Sequence, residues 1–201
     1  MTSPAPAGRS RDAELAARCV QGDRNAQRDL FQLARAAVHH TLFRILGSNQ
    51  DMEDVLQETF LEVFRSMPRY EARSSLVTWS CAIAAHVALG NLRSRKPPTV
   101  ELSVELPATT PDAERVTLAR EAARRLYAAL DRIDPTQRVA FALAVIDERP
   151  LQEVAELTGS SLSAVKTQVW RARKELTRLA GRDPVLAAYI ADLTDAAGGE
   201  V

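Results

Sequence analysis

The sequence predicts an all-α fold, made of two small helical bundles joined by a flexible linker. Three observations support this prediction. Apolar residues recur at three- and four-residue spacing in both halves, no convincing strand pattern occurs, and a proline-containing segment without helical period separates the halves at 96–112. With 201 residues, the chain is long enough for two small domains, each with its own modest core.

Four helical patterns fill the first half, at about 11–21, 24–46, 50–66 and 74–94. The second pattern has apolar residues at Leu30, Leu33, Ala34, Ala37, Val38, Leu42 and Ile45. Gly47 supplies its stop signal, and Pro68 ends the third helix. The apolar side of the third pattern comprises Met52, Val55, Leu56, Thr59, Phe60 and Val63. The fourth carries Leu76, Trp79, Ile83, Val87 and Leu92.

The linker contains the brief alternation ELSVEL, but an isolated strand has no partner in this sequence. Further helices are predicted at about 112–132, 135–148, 150–158 and 161–180, with a short tail helix from 184. Asp134 before Pro135, and Asp183 before Pro184, are typical helix starts. The final segment DLTDAAGGEV is expected to be disordered. The domain prediction is therefore 11–95, a linker at 96–112, a second domain at 113–181 and a tail at 182–201.

Charge is balanced over the whole chain but strongly segregated along it. The 26 Lys plus Arg and 26 Asp plus Glu exclude a uniformly basic nucleic-acid coat. Residues 51–62 hold five acids and no base, whereas residues 162–182 hold six bases and one acid. Binding to a polyanion must therefore use a local surface, and 162–182 is the candidate.

The segment LQEVAELTGSSLSAVKTQVW has the spacing of a helix-turn-helix. Ala155 lets the two helices cross closely, Gly159 permits a left-handed turn, and Val165 fills the shared core. Ser161 or its neighbour can cap the second helix.

The second helix of this motif has an apolar face and a basic face. Its inward residues are Val165, Val169, Ala172 and Leu176. Its outward residues are Ser163, Lys166, Thr167, Gln168, Arg171, Arg173 and Lys174, which suit base edges and phosphates in a major groove. A solvated basic helix on a bundle is the alternative. Trp170 is expected to pack against a neighbouring helix rather than against the DNA backbone.

Other functional classes find little support in the sequence. Cys19 and Cys81 lie in apolar helical patterns, which favours buried, reduced thiols. The histidines show no metal-ligand spacing, and neither a phosphate loop nor a nucleophile with a base occurs, so we expect no enzyme activity, metal or cofactor. No run approaches membrane-spanning length, and we expect a cytoplasmic protein without membrane insertion.

Two further segments extend the argument from motif to family. DMEDVLQETFLEVFRSMPRYEARSSLVTWSCAIAAHVALGNLRSR resembles region 2 of the extracytoplasmic-function sigma factors of bacterial RNA polymerase, within the sigma-70 family. IDPTQRVAFALAVIDERPLQEVAELTGSSLSAVKTQVWRARKEL resembles their region 4. Together these matches cover about 11–95 and 115–180, in the expected order and with a proline-containing linker.

The resemblance implies three binding surfaces. The surface for the polymerase core comprises Asp51, Glu53, Asp54, Gln57 and Glu58. The surface for the minus-10 promoter element comprises Arg69, Tyr70, Arg73, Ser74, Trp79, Arg93 and Arg95. The outward residues of the second helix would bind the minus-35 element. The implied partners are the clamp helices of the largest polymerase subunit, the flap of the second subunit, promoter DNA and an anti-sigma factor.

The sequence also departs from the family. Ala85, His86 and Gly90 replace the usual arginine, asparagine and aspartate of the fourth helix, which puts its duplex contacts in doubt. Gln168 replaces an arginine, and glutamine favours adenine where arginine favours guanine. Two alternatives remain open: a core-independent helix-turn-helix regulator, and a helical adaptor that binds only proteins. A regulator does not need the acidic helix at 50–66, and an adaptor would show no DNA sequence preference.

Overall fold

The computed structural model describes residues 7–48, 52–94 and 113–196, and all regular structure within these ranges is helical. The helices of the first half are α1 (Ala7–Val20), α2 (Arg24–Leu46), α3 (Met52–Ser66) and α4 (Leu76–Ser94). Those of the second half are α5 (Ala113–Leu130), α6 (Pro135–Phe141), α7 (Leu151–Thr158), α8 (Leu162–Ala180) and α9 (Pro184–Ala196). The all-α prediction is confirmed. The linker and its ELSVEL segment lie outside the described residues.

Most predicted helix boundaries agree with the structure to within two residues, and the exceptions have local causes. α1 begins at Ala7 rather than near residue 11. Pro68 lies inside a short 3-10 turn, Met67–Arg69, which follows the end of α3. The predicted helix at 135–148 changes into a wider π turn at Ala142–Ile146. The sequence pattern contained no signal for that turn.

Capping residues fix the helix ends at the positions predicted from the sequence. The Asp134 carboxylate accepts the backbone N–H groups of Thr136 and Gln137 at the start of α6. Gly47 ends α2 with φ 79°, a left-handed conformation in which its N–H donates to the Phe43 carbonyl. Such a cap satisfies carbonyl groups that have no partner within the helix.

The first half is built around α2, against which α4, α3 and α1 pack. The predicted apolar face of α3 is buried. That of α2 is buried except for Leu33, which is half exposed, and Ala37, which is partly buried. Of the apolar residues predicted for α4, Leu76 is fully buried, while Trp79, Ile83, Val87 and Leu92 are only partly buried against the core. The residues that α4 buries are Leu76, Ser80, Cys81, Ala84, Ala85 and Ala88. Because α4 is apolar on nearly all sides and packs against α2, α3, α6 and α7, its spacing alone did not select the face.

The second half holds α6, α7 and α8 together, with α5 and α9 packed beside α8. Leu186 and Ile190 of α9 are buried in the core. The Asp183 carboxylate accepts the N–H of Leu186 and pairs with Arg125 of α5 at 2.8 Å. The expected disorder of DLTDAAGGEV is therefore wrong for residues 192–196, which belong to α9, while residues 197–201 lie outside the described part.

The two halves also pack against each other. α4 of the first half contacts α6 and α7 of the second, and α2 contacts the π turn after α6. Buried apolar residues of both halves form one continuous cluster. The sequence predicted two bundles but gave no indication that they would dock.

Candidate nucleic-acid interface

The helix-turn-helix formed by α7 and α8 has the geometry that its sequence predicted. Gly159 lies in the turn with φ 62°, Ala155 is buried at the crossing, and Val165 is fully buried between the helices. The Ser161 hydroxyl accepts the N–H of Ala164 at 3.2 Å and caps α8. These contacts hold α8 at a fixed angle on α7 and leave one side of it facing solvent.

The solvent side of α8 contains most of the predicted outward residues. Those that are exposed are Ser163, Lys166, Thr167, Arg171 and Lys174. Thr167 Oγ1 donates its proton to the Ser163 carbonyl at 2.9 Å, so the hydroxyl oxygen is left to act as an acceptor. This face combines hydroxyl groups with three cations, a composition that suits base edges flanked by phosphates.

Gln168 and Arg173 do not share this fully exposed face. Both side chains are half-buried at opposite edges of α8, and Gln168 Oε1 and Arg173 Nε are shielded from water without a hydrogen-bond partner in the described part of the chain. Their placement on the outward face was therefore wrong. The reason is geometric, because residues three and four apart are neighbours on a helix. Gln168 lies one turn from the buried Val165 and Ala172, and Arg173 lies one turn from the buried Val169 and Leu176. Arg173 faces a cavity between α8 and α9 that is also lined by Thr177 and Ile190.

Trp170 is a surface residue, whereas the sequence favoured its packing against a neighbouring helix over a position against the DNA backbone. Its side chain is 55% exposed, and Lys174 Nζ lies 5.2 Å from its ring centroid. The expectation that it packs against a neighbouring helix is wrong. Its position one turn after Lys166 and one turn before Lys174 was the available signal, since both of those residues are exposed. An aromatic ring therefore lies in the middle of the basic face.

Further along α8 the positive charge is partly neutralised. Arg178 makes two hydrogen bonds to the Glu175 carboxylate, at 2.6 and 3.0 Å. The hydrogen bond from Arg178 lowers the pKa of Glu175 below its ordinary value. The exposed cations of the outward face, Lys166, Arg171 and Lys174, all precede this pair along α8.

The acidic face of α3 lies in the other half of the chain. Glu53, Asp54, Gln57 and Glu58 are all exposed, and Asp51 lies outside the described residues. Glu53 has a cation nearby, Arg35, at 3.7 Å, but both side chains are mostly exposed, so this pair is weak. The face is therefore accessible to a basic partner.

The loop between α3 and α4 carries the predicted minus-10 residues, and it is held from within. Tyr70 is half-buried, donates from its hydroxyl to the Ser74 carbonyl at 2.7 Å, and lies 5.3 Å from Trp79 between ring centroids. Arg69 and Arg73 are exposed, and Arg73 pairs with Glu71 at 2.6 Å. The loop thus presents arginines on a support of two aromatic rings.

A groove connects this loop with the acidic helix. It has a volume of about 840 Å³ and lies between α3 and α4. Residues that line it include Glu58, Leu61, Arg69, Trp79, His86 and Asn91. Leu61 is more than half exposed there. Arg93 is exposed near the end of α4, and Arg95 lies outside the described residues.

Two departures from the family pattern, Ala85 and His86, lie where α4 meets the second half. Ala85 is buried where α4 meets the second half, in a small cavity that Val139 and Ser160 also line, so a long side chain would not fit in this docked arrangement. His86 is exposed, its Nδ1 lies 2.7 Å from the Ala82 carbonyl, and its Nε2 is near the Gly159 turn. Nothing in the structure explains Gly90.

Both cysteines are free and buried, as predicted, and burial raises the pKa of each thiol. Across residues 7–48, 52–94 and 113–196, no cluster of three or more metal-ligating side chains occurs. None of the helices described is both long enough and apolar enough to span a membrane.

Comparison with known proteins identifies the family. Residues 30–97 match the family model described as Sigma-70 region 2, and residues 123–176 match that described as Sigma-70, region 4. RNA polymerase sigma factor CarQ of Myxococcus xanthus is 31% identical over 160 residues, which cover 80% of this chain and 92% of CarQ. The ECF RNA polymerase sigma factor SigX of Bacillus subtilis is 30% identical, over 75% of this chain and 83% of SigX.

The chain belongs to the extracytoplasmic-function sigma factors. The resemblance stated from the sequence is thus confirmed. Solved structures support the fold of this sigma factor. CnrH in complex with the cytosolic domain of CnrY matches 86% of this chain and 98% of its own, with a TM-score of 0.56 and 24% identity. RpoE of Bartonella quintana, in complex with the anti-sigma factor NepR, matches 78% of this chain and 97% of its own, with a TM-score of 0.53 and 19% identity.

Proposed function

We propose that this sigma factor binds the core of RNA polymerase, directs it to specific promoters and helps to open the DNA. The observation that carries the proposal is the placement of two oppositely charged, exposed helix faces in two separate halves. α3 presents carboxylates from the first half, and α8 presents hydroxyls and cations from the second. One molecule can therefore contact a basic protein surface and a DNA duplex at once.

We assign polymerase binding to the exposed face of α3, with the clamp helices of the largest subunit as its partner. Glu53, Asp54, Gln57 and Glu58 supply this surface, and we include Asp51 from the family pattern. Complementary charge speeds and orients the association of two proteins. The second half would meet the flap of the second subunit. In this assignment 11–95 and 113–181 are the binding domains, with 96–112 between them, and α9 packs onto the second domain.

We assign the minus-10 element to the loop after α3 and the adjoining part of α4. Extruding a base costs a few kcal/mol, which stacking and edge hydrogen bonds can offset. The exposed Arg69 and Arg73 are placed to contact phosphate, while Tyr70 and Trp79 form the floor of the loop. Ser74 contributes its carbonyl to that floor, and Arg93 and Arg95 extend the cationic surface along α4.

We assign the minus-35 element to α8. Ser163, Lys166, Thr167, Arg171 and Lys174 form the central contact surface. Gln168 and Arg173 stand at its edges, so their contacts with DNA require a change of side-chain conformation. The reaction itself belongs to the polymerase, and the sigma factor needs no cofactor for these roles.

We further propose that an anti-sigma factor regulates this protein. One structural neighbour, RpoE, was solved with the anti-sigma factor NepR, and another, CnrH, with the cytosolic domain of CnrY. An inhibitor that covers the α3 face would prevent polymerase binding. Because the polymerase and the promoter are in the bacterial cytoplasm, that is where we place its activity.

Run-off transcription on a genomic promoter library tests the proposal. Purified core polymerase is assayed with and without the protein. New start sites that share two upstream elements at fixed spacing are expected. No start sites, together with sequence-specific duplex binding by the protein alone, would establish a core-independent regulator instead. Absence of both activities would favour a protein-binding adaptor.

Charge variants test the α3 surface. Glu53→Lys combined with Asp54→Lys should weaken binding to core polymerase at least tenfold, because two attractions become repulsions. The matched control is Glu14→Lys with Asp29→Lys, which makes the same charge change at exposed sites on α1 and α2. If both variants lose the same affinity for core polymerase, α3 is not part of the binding interface.

A second pair of variants tests α8. Arg171→Ala should weaken holoenzyme binding to the promoter and reduce its salt dependence by about one counterion. Arg182→Ala removes the same charge at an exposed position after α8 and should have little effect. Gln168→Arg should shift the preferred minus-35 sequence from adenine toward guanine, and an unchanged preference would mean that residue 168 does not contact bases.

A further inference from the structure

The contact between the two halves is built from buried polar groups as well as apolar ones. Arg138 of α6 is only 2% exposed. Its Nε donates to the Ile45 carbonyl at 2.9 Å and its Nη2 to the Leu46 carbonyl at 2.7 Å. These carbonyls lie in the last turn of α2, where helix carbonyls have no partner within the helix. An arginine of the second half therefore completes a helix of the first half, while Asp131 holds its Nη1.

Tyr127 of α5 supplies the second element of this contact. It is buried, and its hydroxyl donates to the Arg44 carbonyl at 2.8 Å. Burial raises the pKa of Tyr127 to about 12, so the phenol keeps its donor proton. Its ring fills the space beside Gly47, where an added Cβ would lie 2.1 to 2.4 Å from three ring carbons. The glycine thus serves both the left-handed cap and the close approach of the two halves.

A charged cluster forms the edge of the contact. The Asp147 side chain is largely buried, and its carboxylate faces His40 at 2.6 Å and Arg44 at 3.4 Å, both on α2. Arg149 pairs with Asp147 at 2.6 Å and reaches across to the Thr41 hydroxyl at 3.2 Å. An apolar centre with hydrogen-bonded polar groups around it is the anatomy of a specific interface.

Docking in this form conflicts with promoter binding. A compact chain of about 200 residues has a radius of gyration of about 16 to 17 Å, so it is roughly 45 Å across. The minus-10 and minus-35 elements lie about 25 base pairs apart, or about 85 Å along straight B-DNA. The docked protein cannot reach both elements.

We propose that the docked halves are an autoinhibitory state, latched by Arg138, Tyr127 and Asp147 against the C-terminal end of α2. This inference depends on the proposed function, because the conflict arises only if one molecule reads both elements. The faces of α3 and α8 remain exposed while the halves are docked. The latch therefore permits a first contact with either partner and opposes the complete complex with polymerase and promoter, in which the two halves lie apart. Docking lowers the apparent affinity for a partner that requires the open form, in proportion to the fraction of molecules that are open.

The test uses a charge reversal at the edge of the latch. In the variant His40→Glu with Arg44→Glu, two new carboxylates face Asp147. The matched control is Gln32→Glu with Arg28→Glu, which makes the same formal charge change, with histidine counted as neutral, at exposed positions nearer the start of α2. Circular dichroism should show equal helix content in both. Tyr127→Phe, which removes only one hydroxyl, is a second latch variant.

Two measurements on the full chain test whether docking of the two halves is autoinhibitory. Small-angle X-ray scattering should show a compact wild type and control, and a larger radius of gyration for the charge-reversed variant. Binding to core polymerase should be tighter for that variant by about fivefold or more, since each reversed pair shifts the equilibrium up to about fivefold. Tyr127→Phe should change both quantities in the same direction but less.

Three outcomes would contradict the proposed autoinhibitory state. The wild type could already be extended, the charge-reversed variant could stay compact, or it could extend without binding core polymerase more tightly. None of these would contradict the proposed function, which fails only if the wild type directs no transcription by core polymerase. The scattering measurement needs no polymerase, so the two proposals are tested separately.

Discussion

Two glycines with the same backbone conformation should respond differently to the same substitution. Gly47 and Gly159 have φ 79° and 62°, and alanine at either position incurs the strain of a left-handed residue, about 1 kcal/mol. At Gly159 the new Cβ has room, because its nearest neighbour is His86 Nε2 at 3.8 Å. Gly159→Ala should therefore reduce the free energy of unfolding by about 1 kcal/mol.

At Gly47 the new Cβ would overlap the ring of Tyr127. Ring carbons at 2.1 to 2.4 Å are closer than van der Waals contact allows, and the buried ring has little freedom to move aside. Overpacking of this kind costs about 1 to 3 kcal/mol. Displacing the ring also breaks the hydrogen bond from the Tyr127 hydroxyl to Arg44, which is worth about 1 kcal/mol. Gly47→Ala should therefore cost about 3 to 5 kcal/mol in total.

Urea denaturation followed by circular dichroism measures both costs. A double-mutant cycle gives the decisive comparison. In a Tyr127→Ala background the ring is absent, so Gly47→Ala should cost only the backbone strain of about 1 kcal/mol. If Gly47→Ala costs no more than Gly159→Ala in the wild-type background while the free chain stays compact, the packing of Tyr127 against Gly47 is refuted.

Two further predictions concern single contacts. Ser161→Ala removes the cap of α8 and should destabilise the protein by about 1 kcal/mol in thermal denaturation, whereas Ser161→Asp should retain most of the stability; equal effects would mean that the cap contributes nothing. Hydrogen bonds from Arg124 and Arg125 lower the pKa of Glu121 from its ordinary value of 4.5 to about 2. Because the pKa of Glu121 is lower in the folded state than in the unfolded state, its ionised carboxylate stabilises the fold. This contribution to stability is complete above pH 4.5 and is lost as the pH falls toward 2. Acid unfolding should therefore be steeper in the wild type than in Glu121→Gln, and parallel curves would contradict the assignment.

The sequence predicted those parts of the fold in which charge and periodicity agree. α3 and α8 have strongly segregated polar and apolar faces, so their buried sides and most of their exposed charges followed from the residue pattern. The exceptions on α8 are Gln168 and Arg173, at the edges of its outward face. α4 did not follow, because its small and apolar residues surround the helix and every face was a candidate core face. Trp170 was misplaced for a related reason, since aromatic residues are usually buried and this one lies among exposed cations.

The docked contact was beyond sequence reasoning for a different reason. Arg138 binds the carbonyls of Ile45 and Leu46, and Tyr127 binds that of Arg44. Every residue has a backbone carbonyl, so the residue types do not indicate which carbonyl a side chain will bind. Only the position of the chain in space shows which carbonyls are left unpaired by the end of α2.

The substitution of Gly47 also measures how firmly the halves dock. If the clash in Gly47→Ala is relieved by separation of the halves, its cost beyond backbone strain cannot exceed the free energy of docking. The difference between Gly47→Ala and Gly159→Ala is therefore a lower bound on that free energy. A difference of about 3 kcal/mol would mean that fewer than about 1% of free molecules are open, and the apparent affinity for any partner that requires the open form would fall by about a hundredfold. If the two substitutions cost nearly the same and the Gly47→Ala variant is extended, the free energy of docking is too small for the latch to regulate promoter binding.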